Sequence, residues 1–397
     1  MPAPSPQAGS EPAAVQPRVT WRRFLKSQAV LLISAAAALF SMLLVKPSPA
    51  YGQYLDWRTL ILLFCLMLVV AGFRAERRFD ALGHWLVRRI HNSRQLTLVL
   101  MLLCFFSAML ITNDVSLLTF VPFTILLFAE LGWQRELIYA VVLETVAANL
   151  GSLLMPVGNP QNLYLYSHYQ MTPGLFFYYT MPLSLAGLLL CLAAAGLAPA
   201  RRLALSGPSP AAKPLAVSDS SEAAPAPWRS YLYLGLFAAC LLTVFRLLDE
   251  RVLLGLIILG ILIADRRLFK AVDYGLLLTF VCFFIVSGNL AKVPALQQLL
   301  AGWLQTHEFA TALLLSQVIS NVPAAVLLSS FTTNPGPLLA GTNVGGLGTL
   351  IASLASLISF RLYSALPEAR PGRFLKVFTV VNLVCLLPLA LLGFWLH

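Results

Sequence analysis

The sequence is poor in charged residues. Only 11% of its 397 residues are Asp, Glu, Lys or Arg, whereas 59% are apolar. An ordinary globular protein has roughly 25% charged residues. So few charges cannot solvate the surface of a water-soluble fold of this size. Several apolar runs also approach the ~18–20 residues that cross a bilayer. Both observations predict an all-α polytopic membrane protein.

Catalytic and cofactor motifs are lacking as well. The five histidines are scattered, and the sequence contains no His-Glu-x-x-His pair, P-loop or nucleophile elbow. We therefore expect no enzyme activity and no cofactor. The six cysteines lie inside apolar runs, where small core residues rather than disulfides are expected. The net charge of +11 does not indicate a nucleic-acid partner, because the basic residues cluster in short segments between apolar runs.

Apolar runs and hydrophilic segments divide the chain into five parts. Residues 1–27 form a Pro-, Ala- and Ser-rich tail with a basic end, which predicts disorder. A first transmembrane repeat is expected over 28–200, and a cytoplasmic linker over 201–229. A connecting helix over 230–249 then leads to a second, inverted transmembrane repeat over 250–397.

The two proposed repeats share a series of polar interruptions in the same order. Thr112-Asn113-Asp114 corresponds to Ser320-Asn321-Val322, and the segment 148–153 corresponds to 342–347. Upstream of the first interruption in each half, residues 79–90 and 295–300 are predicted to form surface helices. Chance similarity between apolar helices does not explain this shared order.

The length of the helical arms beside each interruption indicates whether the segment crosses the membrane or turns back as a hairpin. The arms 308–319 and 322–332 span about 18 and 16 Å at 1.5 Å per residue, and neither reaches across a ~30 Å core. They are therefore predicted to form a re-entrant hairpin. The longer arms 95–111 and 115–130 nearly cross, so the first hairpin is inferred from the repeat.

The distribution of basic residues gives an orientation. With the N-terminus in the cytoplasm, 22 of the 27 Lys and Arg residues fall on the cytoplasmic side. The remaining five are Lys46, Arg58, Arg246, Arg251 and Lys292. We expect nine crossings, two opposed hairpins, and a C-terminus on the outer side, opposite the cytoplasm. Inverted repeats with broken helices are typical of secondary transporters.

The chemistry is expected where helices are interrupted. Freed carbonyl groups there can coordinate Na⁺, and half-helix N-termini favour anions. Gly and Pro alone also fit a packing kink, but Asn, Gln and Thr cluster at both breaks and favour a binding site. The predicted substrate-binding residues are Thr112, Asn113, Asn159, Gln161, Asn162, Ser320, Asn321, Asn343 and Thr349.

With these motifs the chain resembles the ion transporter superfamily. This group includes arsenite permeases, citrate–metal transporters, Na⁺/H⁺ antiporters of the NhaD type and divalent anion/sodium symporters. The resemblance covers about residues 28–396 and is strongest to the bacterial citrate transporter-like branch. It is specific for fold and much less specific for substrate.

The resemblance implies roles for individual residues. In the divalent anion symporters a Ser-Asn-Thr motif at each hairpin tip holds the substrate carboxylate and borders a sodium site. Asp114 and Val322 stand at the third position of that motif, and the Asn-x-Pro of the second tip is more similar to arsenite permeases or antiporters. Candidate sodium ligands by this resemblance are Asn113, Asp114, Gly158, Ser316 and Asn321. Position 108, the counterpart of Ser316, is Ala.

Two carboxylates, Asp114 and Glu144, lie deep in predicted membrane segments. Intramembrane carboxylates are costly and usually functional. Asp114 is expected to couple a cation, with a helix N-cap as the alternative. For Glu144, cation coupling and a buried structural role remain equally open.

The sequence thus predicts a secondary transporter of a small anion or oxyanion in the bacterial plasma membrane, coupled to Na⁺ or H⁺ and working by alternating access. A Na⁺/H⁺ antiporter without organic substrate is the alternative. A channel and an intramembrane enzyme are alternatives from other classes. Members of the superfamily are often dimers, so a homodimer is expected.

Overall fold

The computed structural model describes residues 29–76, 90, 92–201 and 227–396, and the regular secondary structure in these ranges is helical. The predicted tail over 1–27 and the linker interior over 202–226 lie outside the described residues. So does the predicted surface helix over 79–90, apart from Ile90.

Seven helices form the described first half, and most begin at a residue suited to that position. The Asp56 carboxylate accepts from the backbone N–H of Thr59 at 3.0 Å, and Asn92 and Thr172 cap two later helices in the same way. The helices are α1 Ala29–Leu44, α2 Trp57–Ala75, α3 Ser93–Ile111, α4 Asn113–Glu130, α5 Gln134–Ser152, α6 Pro160–His168 and α7 Pro173–Gly196.

The second half contributes eight further helices. The first of them is described from Pro227 onwards, within the segment expected to be linker. The helices are α8 Pro227–Val244, α9 Glu250–Asp265, α10 Tyr274–Leu290, α11 Pro294–Ile319, α12 Asn321–Ser329, α13 Pro335–Val344, α14 Leu354–Ser364 and α15 Pro371–Leu396.

Each half contains a helical hairpin. In the first, α3 and α4 meet at Thr112; in the second, α11 and α12 meet at Ser320. Helix α11 is bent at His307, where φ is −137° and ψ is 38°, so its last part, over 308–319, is a separate arm. That arm and the nine residues of α12 span about 18 and 14 Å, shorter than a ~30 Å membrane core.

Each half also contains a broken helix. The chain leaves helical geometry between α5 and α6, over 153–159, and between α13 and α14, over 345–353. The sequence predicts interruptions over 155–162 and 341–349, which overlap these two stretches. In both cases the second segment starts from an extended residue, Asn159 or Ser353.

Two buried apolar clusters hold the helices together. One joins α3, α4, α5 and α7 to α14 and α15, and the other packs α2, α8, α9 and α10 around α6 and α12. The first break lies where the chain passes between them, since Leu153 belongs to one cluster and Val157 to the other. Polar groups at the break are thereby held deep inside the fold.

The outer surface is apolar. Large side chains such as Leu43, Leu189 and Trp395 are more than 60% exposed, as expected for surfaces that contact lipid. Among the described residues, four helices are both long and apolar enough to cross a bilayer, namely α2, α3, α7 and α15. The chain is therefore a polytopic helical membrane protein.

Candidate functional site

The two hairpin tips adopt the same unusual backbone conformation. Thr112 has φ 70° and ψ 151°, and Ser320 has φ 75° and ψ 155°. Positive φ is uncommon for residues other than glycine. At each tip the following Asn accepts, through Oδ1, a bond from the next backbone N–H at 2.9 Å. The tips are thus matched in geometry as well as in sequence.

Each tip is attached to the break of its own half. The N–H of Asn113 donates to the carbonyl of Gly158 at 3.0 Å, and the N–H of Asn321 donates to the carbonyl of Ala352 at 2.9 Å. A Cβ at Gly158 would lie 2.0 Å from the Ser152 carbonyl oxygen, so only glycine fits. Residues 158 and 352 occupy equivalent positions when the two breaks are aligned on Asn149 and Asn343.

Side chains also link the two breaks to each other. Asn159, which caps α6, donates to Oδ1 of Asn343 at 3.1 Å. The corresponding Ser353, which precedes α14, donates to Oδ1 of Asn149 at 3.0 Å. Asn149 also receives a bond from Asn113 at 3.0 Å. A buried polar network therefore joins one tip, both breaks and both halves of the chain.

The carbonyl groups freed at the breaks have side-chain partners. Nδ2 of Asn162 lies 3.2–3.3 Å from the carbonyl oxygens of Ser152, Leu153 and Met155. At the second break, Nε2 of Gln317 donates to Gly345 at 2.7 Å and to Leu347 at 2.9 Å. Amide groups thus satisfy carbonyls that would be costly to bury alone.

A cavity of about 440 Å³ lies between the two tips. Asn113 and Asp114 line it from one hairpin, and Ser320 and Asn321 from the other. The first turns of α6 and α14 reach the same cavity. The remaining wall is largely apolar and includes Val30, Ile33, Leu276, Phe283 and Leu327.

Asp114 is the only ionisable side chain among the described residues that line this cavity. Its Oδ1 is buried and has no hydrogen-bond partner within the described part of the chain. A buried carboxylate oxygen without a partner is costly unless a proton or a cation accompanies it. The cavity therefore holds one strong candidate for cation binding.

Glu144 lies outside this cavity. It is fully buried in α5, where its Oε1 accepts a 2.5 Å bond from the Thr124 hydroxyl. Its Oε2 has no partner among the described residues. The carboxyl group thus faces α4 within the apolar cluster rather than the space between the tips.

The structure brings together part of the predicted site. Asn113, Asp114, Gln161, Ser320 and Asn321 line the cavity. The other predicted residues lie behind it or beside it. Asn159, Asn162 and Asn343 belong to the buried network, and Gly158 supports the first tip through its carbonyl group. Thr112 forms the bend of that tip.

Two predicted residues face elsewhere. The hydroxyl of Ser316 donates to Ala312 inside its own helix at 2.7 Å and is fully buried. Thr349 is exposed, and its hydroxyl donates to the Gln317 carbonyl at 3.0 Å. Neither lines the cavity in this conformation, so their roles stay predictions.

Sequence reasoning missed three residues of the network, namely Asn149, Ser353 and Gln317. Asn149 is the repeat counterpart of Asn343, and Ser353 is the counterpart of Asn159, so the alignment contained a signal for both. Gln317 had no such signal, because the corresponding residue in the first half is Met109.

Comparisons with known proteins agree on one family. The sequence profile of the citrate transporter family matches residues 19–358. The inner membrane protein YbiR of Escherichia coli is 34% identical over 92% of this chain and 94% of its own length. An uncharacterized transporter of Methanocaldococcus jannaschii is 31% identical over 91% of this chain and 95% of its own. A silicon efflux transporter of Oryza sativa is 28% identical over 44% of this chain and 35% of its own.

Proposed function

Because the chain belongs to the citrate transporter family, within the ion transporter superfamily, and is thus a membrane transporter rather than an enzyme, we propose that it moves a small anion or oxyanion by cation-coupled alternating access. The bacterial inner membrane is its proposed location, as for its relative YbiR.

The observation that carries this proposal is the cavity of about 440 Å³ between the tips. The N-terminal turns of α6 and α14 reach it through Gln161 and Leu354. The positive ends of two helix dipoles favour an anion there. Asn113 and Asn321 add an amide donor and a carbonyl acceptor on opposite sides.

Charge balance supports cation coupling. No Lys, Arg or His is found among the described residues that line the cavity, and Asp114 carries a negative charge when ionised. An anion entering next to this carboxylate would be repelled in a low-dielectric environment. A Na⁺ or H⁺ that enters first neutralises Asp114 and removes the repulsion. The cation and the anion are then bound together.

The substrate class follows from the polar groups of the cavity. The family is named for citrate and the rice relative for silicon, and citrate is a small anion with several carboxylate oxygens. The Asn113 and Asn321 amides and the Ser320 and Ser353 hydroxyls of the cavity suit carboxylate or hydroxyl oxygens. We therefore place a small carboxylate or oxyanion between the tips.

A second cavity supports alternating access. It has a volume of about 490 Å³, is lined by Arg58, His168 and Arg246, and shares Ser287 with the first cavity. Ser287 bonds to the Val326 carbonyl at 2.8 Å and to the Ser330 hydroxyl at 2.7 Å. We propose that this contact between α10 and α12 is the barrier that opens during transport.

Uptake by the purified protein in liposomes tests the proposed function. A panel of carboxylates and oxyanions is offered under imposed Na⁺ or H⁺ gradients. We expect saturable uptake of at least one anion that depends on one of the two gradients. Flux that never saturates would favour a channel, and product formation without a gradient would favour an enzyme.

The Na⁺/H⁺ antiporter remains the second candidate, since the sole ionisable group among the described cavity residues is a carboxylate. The variant Asp114→Asn distinguishes cation-coupled anion transport from Na⁺/H⁺ antiport, because it keeps the shape of the side chain but removes its charge. We expect the variant to lose the cation dependence of anion uptake. Cation exchange without any anion, abolished by the same change, would support the antiporter. Unchanged Na⁺ and pH dependence would exclude Asp114 from cation coupling. The helix N-cap expected as the alternative role is wrong, since Thr112 and not Asp114 is the N-cap of α4.

The proposed inverted repeat is tested by topology. We expect Met1 inside, His397 outside, and the two tips facing one site from opposite sides. Single cysteines in a Cys-free background are labelled with an impermeant thiol reagent. Labelling of a C-terminal cysteine only from the cytoplasm would contradict this arrangement.

A further inference from the structure

A large cavity outside the proposed transport site is lined by four arginines. Its volume is about 990 Å³. Arg135 lies in the first turn of α5, Arg201 follows α7, and Arg370 and Arg373 lie at the start of α15. Three separate segments of the chain therefore bring positive charge to one place.

These arginines have little compensation. The one ion pair among the described residues joins Arg58 to Glu250, and neither of them lines this cavity. Of the four, only Arg201 makes a side-chain hydrogen bond within the described part of the chain, to the Gly132 carbonyl at 3.4 Å. Glu136 and Glu368 also line the cavity, so four positive and two negative side chains leave a net charge of +2.

Two helix N-termini add to this charge. Helix α5 begins at Gln134 and α15 begins at Pro371, and their first turns line the cavity. The unsatisfied N–H groups and the positive dipole end of a helix favour anions. Arginine binds phosphate through two parallel hydrogen bonds. The chemistry of the cavity is therefore that of a phosphate site.

Part of the cavity lining is apolar. It includes Ile125, Leu137, Ile138 and Leu366. A phosphate attached to an apolar body matches this combination of walls, and basic pockets between membrane helices on the cytoplasmic side are typical of sites for anionic lipid. The distribution of basic residues predicts that this face is cytoplasmic.

The cavity is separate from the space between the tips. Its residue Gln134 and the network residue Asn149 lie fifteen positions apart on α5, or about 22 Å along the helix. Neither cavity shares a described lining residue with the other. A ligand here would not compete with substrate by occupying the same volume.

We propose that this cavity binds a phosphate oxyanion, supplied by the headgroup of an anionic lipid or by a free phosphate. Arg135, Arg370 and Arg373 hold the phosphate group, while the apolar wall receives the attached acyl or organic part. This site adds a second ligand to the protein and does not depend on the identity of the transported substrate.

The test measures the thermal unfolding midpoint of the detergent-solubilised full chain. The protein is titrated separately with dioctanoyl phosphatidylglycerol, dioctanoyl phosphatidylcholine and inorganic phosphate. A rise in midpoint with phosphatidylglycerol alone assigns the site to lipid, and a rise with inorganic phosphate assigns it to a free phosphate. A rise with neither overturns the proposal, and so does an equal rise with phosphatidylcholine.

The variant Arg370→Gln/Arg373→Gln links any rise to this cavity. Two basic residues near a membrane surface are together expected to change apparent affinity by about 30-fold. Arg266→Gln/Arg267→Gln is the matched control, since it removes the same charge outside the cavity. If the first variant is unstable without lipid, Arg135→Gln on the other helix provides the same test. Equal loss in both double variants would show a general charge effect and contradict the site.

Discussion

At both breaks of this chain, side-chain amides bond to carbonyl groups that have left the helical hydrogen-bond pattern, but the amides belong to different elements. At the first break, Asn162 bonds to the carbonyls of Ser152, Leu153 and Met155 from the helix that follows. At the second break, Gln317 reaches the carbonyls of Gly345 and Leu347 from the hairpin. The partner comes from a different element in each half.

The residues at the aligned positions confirm that the amide donor differs between the two halves. Ser356 stands where the first half has Asn162, and Met109 stands where the second half has Gln317. Neither can donate an amide. The need for a donor at each break is thus shared by the halves, while its source is not. Conservation of a physical requirement does not imply identity of residues at aligned positions.

The largest effect is expected for Asn162→Ser. This change places in the first half the serine that stands at the aligned position, 356, of the second half. The change removes the amide that contacts the carbonyls of Ser152, Leu153 and Met155, and the Oδ1 that accepts from Asn343 at 2.6 Å. Met155 keeps the N–H of Gly158 and Asn343 keeps the carbonyl of Leu339, so Ser152 and Leu153 lose most. Because a buried unsatisfied group costs roughly 1–3 kcal/mol, we expect destabilisation of about 3 kcal/mol or more. The thermal unfolding midpoint in detergent measures it.

The control for this change is Asn334→Ser, an Asn-to-Ser exchange at an exposed position just before α13 where the side chain forms no cap bond. Its midpoint should stay close to that of the parent protein. A parent-like midpoint for Asn162→Ser as well would show that the carbonyls find other partners, and that the amide is not required.

Substitutions at the two hairpin tips are expected to have the next largest effect, measured as a loss of transport. Asn113→Ala and Asn321→Ala each remove a side chain that lines the cavity, with an expected loss of about 5- to 150-fold in apparent substrate affinity. The first change also breaks the bond to Asn149, for which Asn321 has no counterpart among the described residues. Asn113→Ala should therefore lower stability as well.

Substrate protection checks the interpretation of these variants. Cysteines placed at positions 113 and 321 should react with a thiol reagent more slowly when substrate and cation are present. Near-normal uptake by both Ala variants, together with unprotected cysteines, would remove the tips from the binding site.

Gln317→Met tests the same comparison at the second break, since methionine stands at the aligned position, 109, of the first half. Gln317 is only half-buried and Thr349, whose N–H it accepts at 2.9 Å, is exposed. Water can replace part of the lost bonds, so we expect a loss of about 1–2 kcal/mol, smaller than for Asn162→Ser. The reverse order of midpoints would contradict the difference in burial.

The fold could be predicted from sequence where the signal is local. Short apolar arms, Gly and Pro at the breaks, and the matched Asn113 and Asn321 located both hairpins and both interruptions. Asn159 and Asn343 are predicted from the clusters of Asn, Gln and Thr at the two interruptions. The second hairpin and both interruptions depend on a few neighbouring residues, whereas the first hairpin needed the comparison with the second half.

The network could not be predicted, because it depends on contacts across the chain. The bond from Ser353 to Asn149 joins residues 204 positions apart, and no local pattern specifies it. The capping by Gln317 is absent from the repeat, since Met109 occupies the aligned position. Glu144 shows the same limit, because its position on α5 did not reveal that it faces Thr124 rather than the cavity.

The smallest expected effect is at Ser356, the counterpart of Asn162. Its hydroxyl is fully buried and has no hydrogen-bond partner among the described residues, and neither has Nδ2 of Asn149. The alignment pairs Ser356 with Asn162 and Asn149 with Asn343, and the second residues of the two pairs bond to each other across the two halves. The shorter side chain of serine leaves the Ser356 hydroxyl and Nδ2 of Asn149 unpaired.

Ser356→Ala should therefore be almost silent. Removing a hydroxyl that is already buried without a partner sacrifices no hydrogen bond and relieves its desolvation cost, so we expect stability to change by less than about 1 kcal/mol, with a small gain. Uptake should match that of the parent protein. A loss of transport at unchanged thermal midpoint would contradict this, because it would mean that the hydroxyl contacts the transported species or a bound water during the cycle. The two halves would then differ in function at this position, and not only in how they satisfy their carbonyl groups.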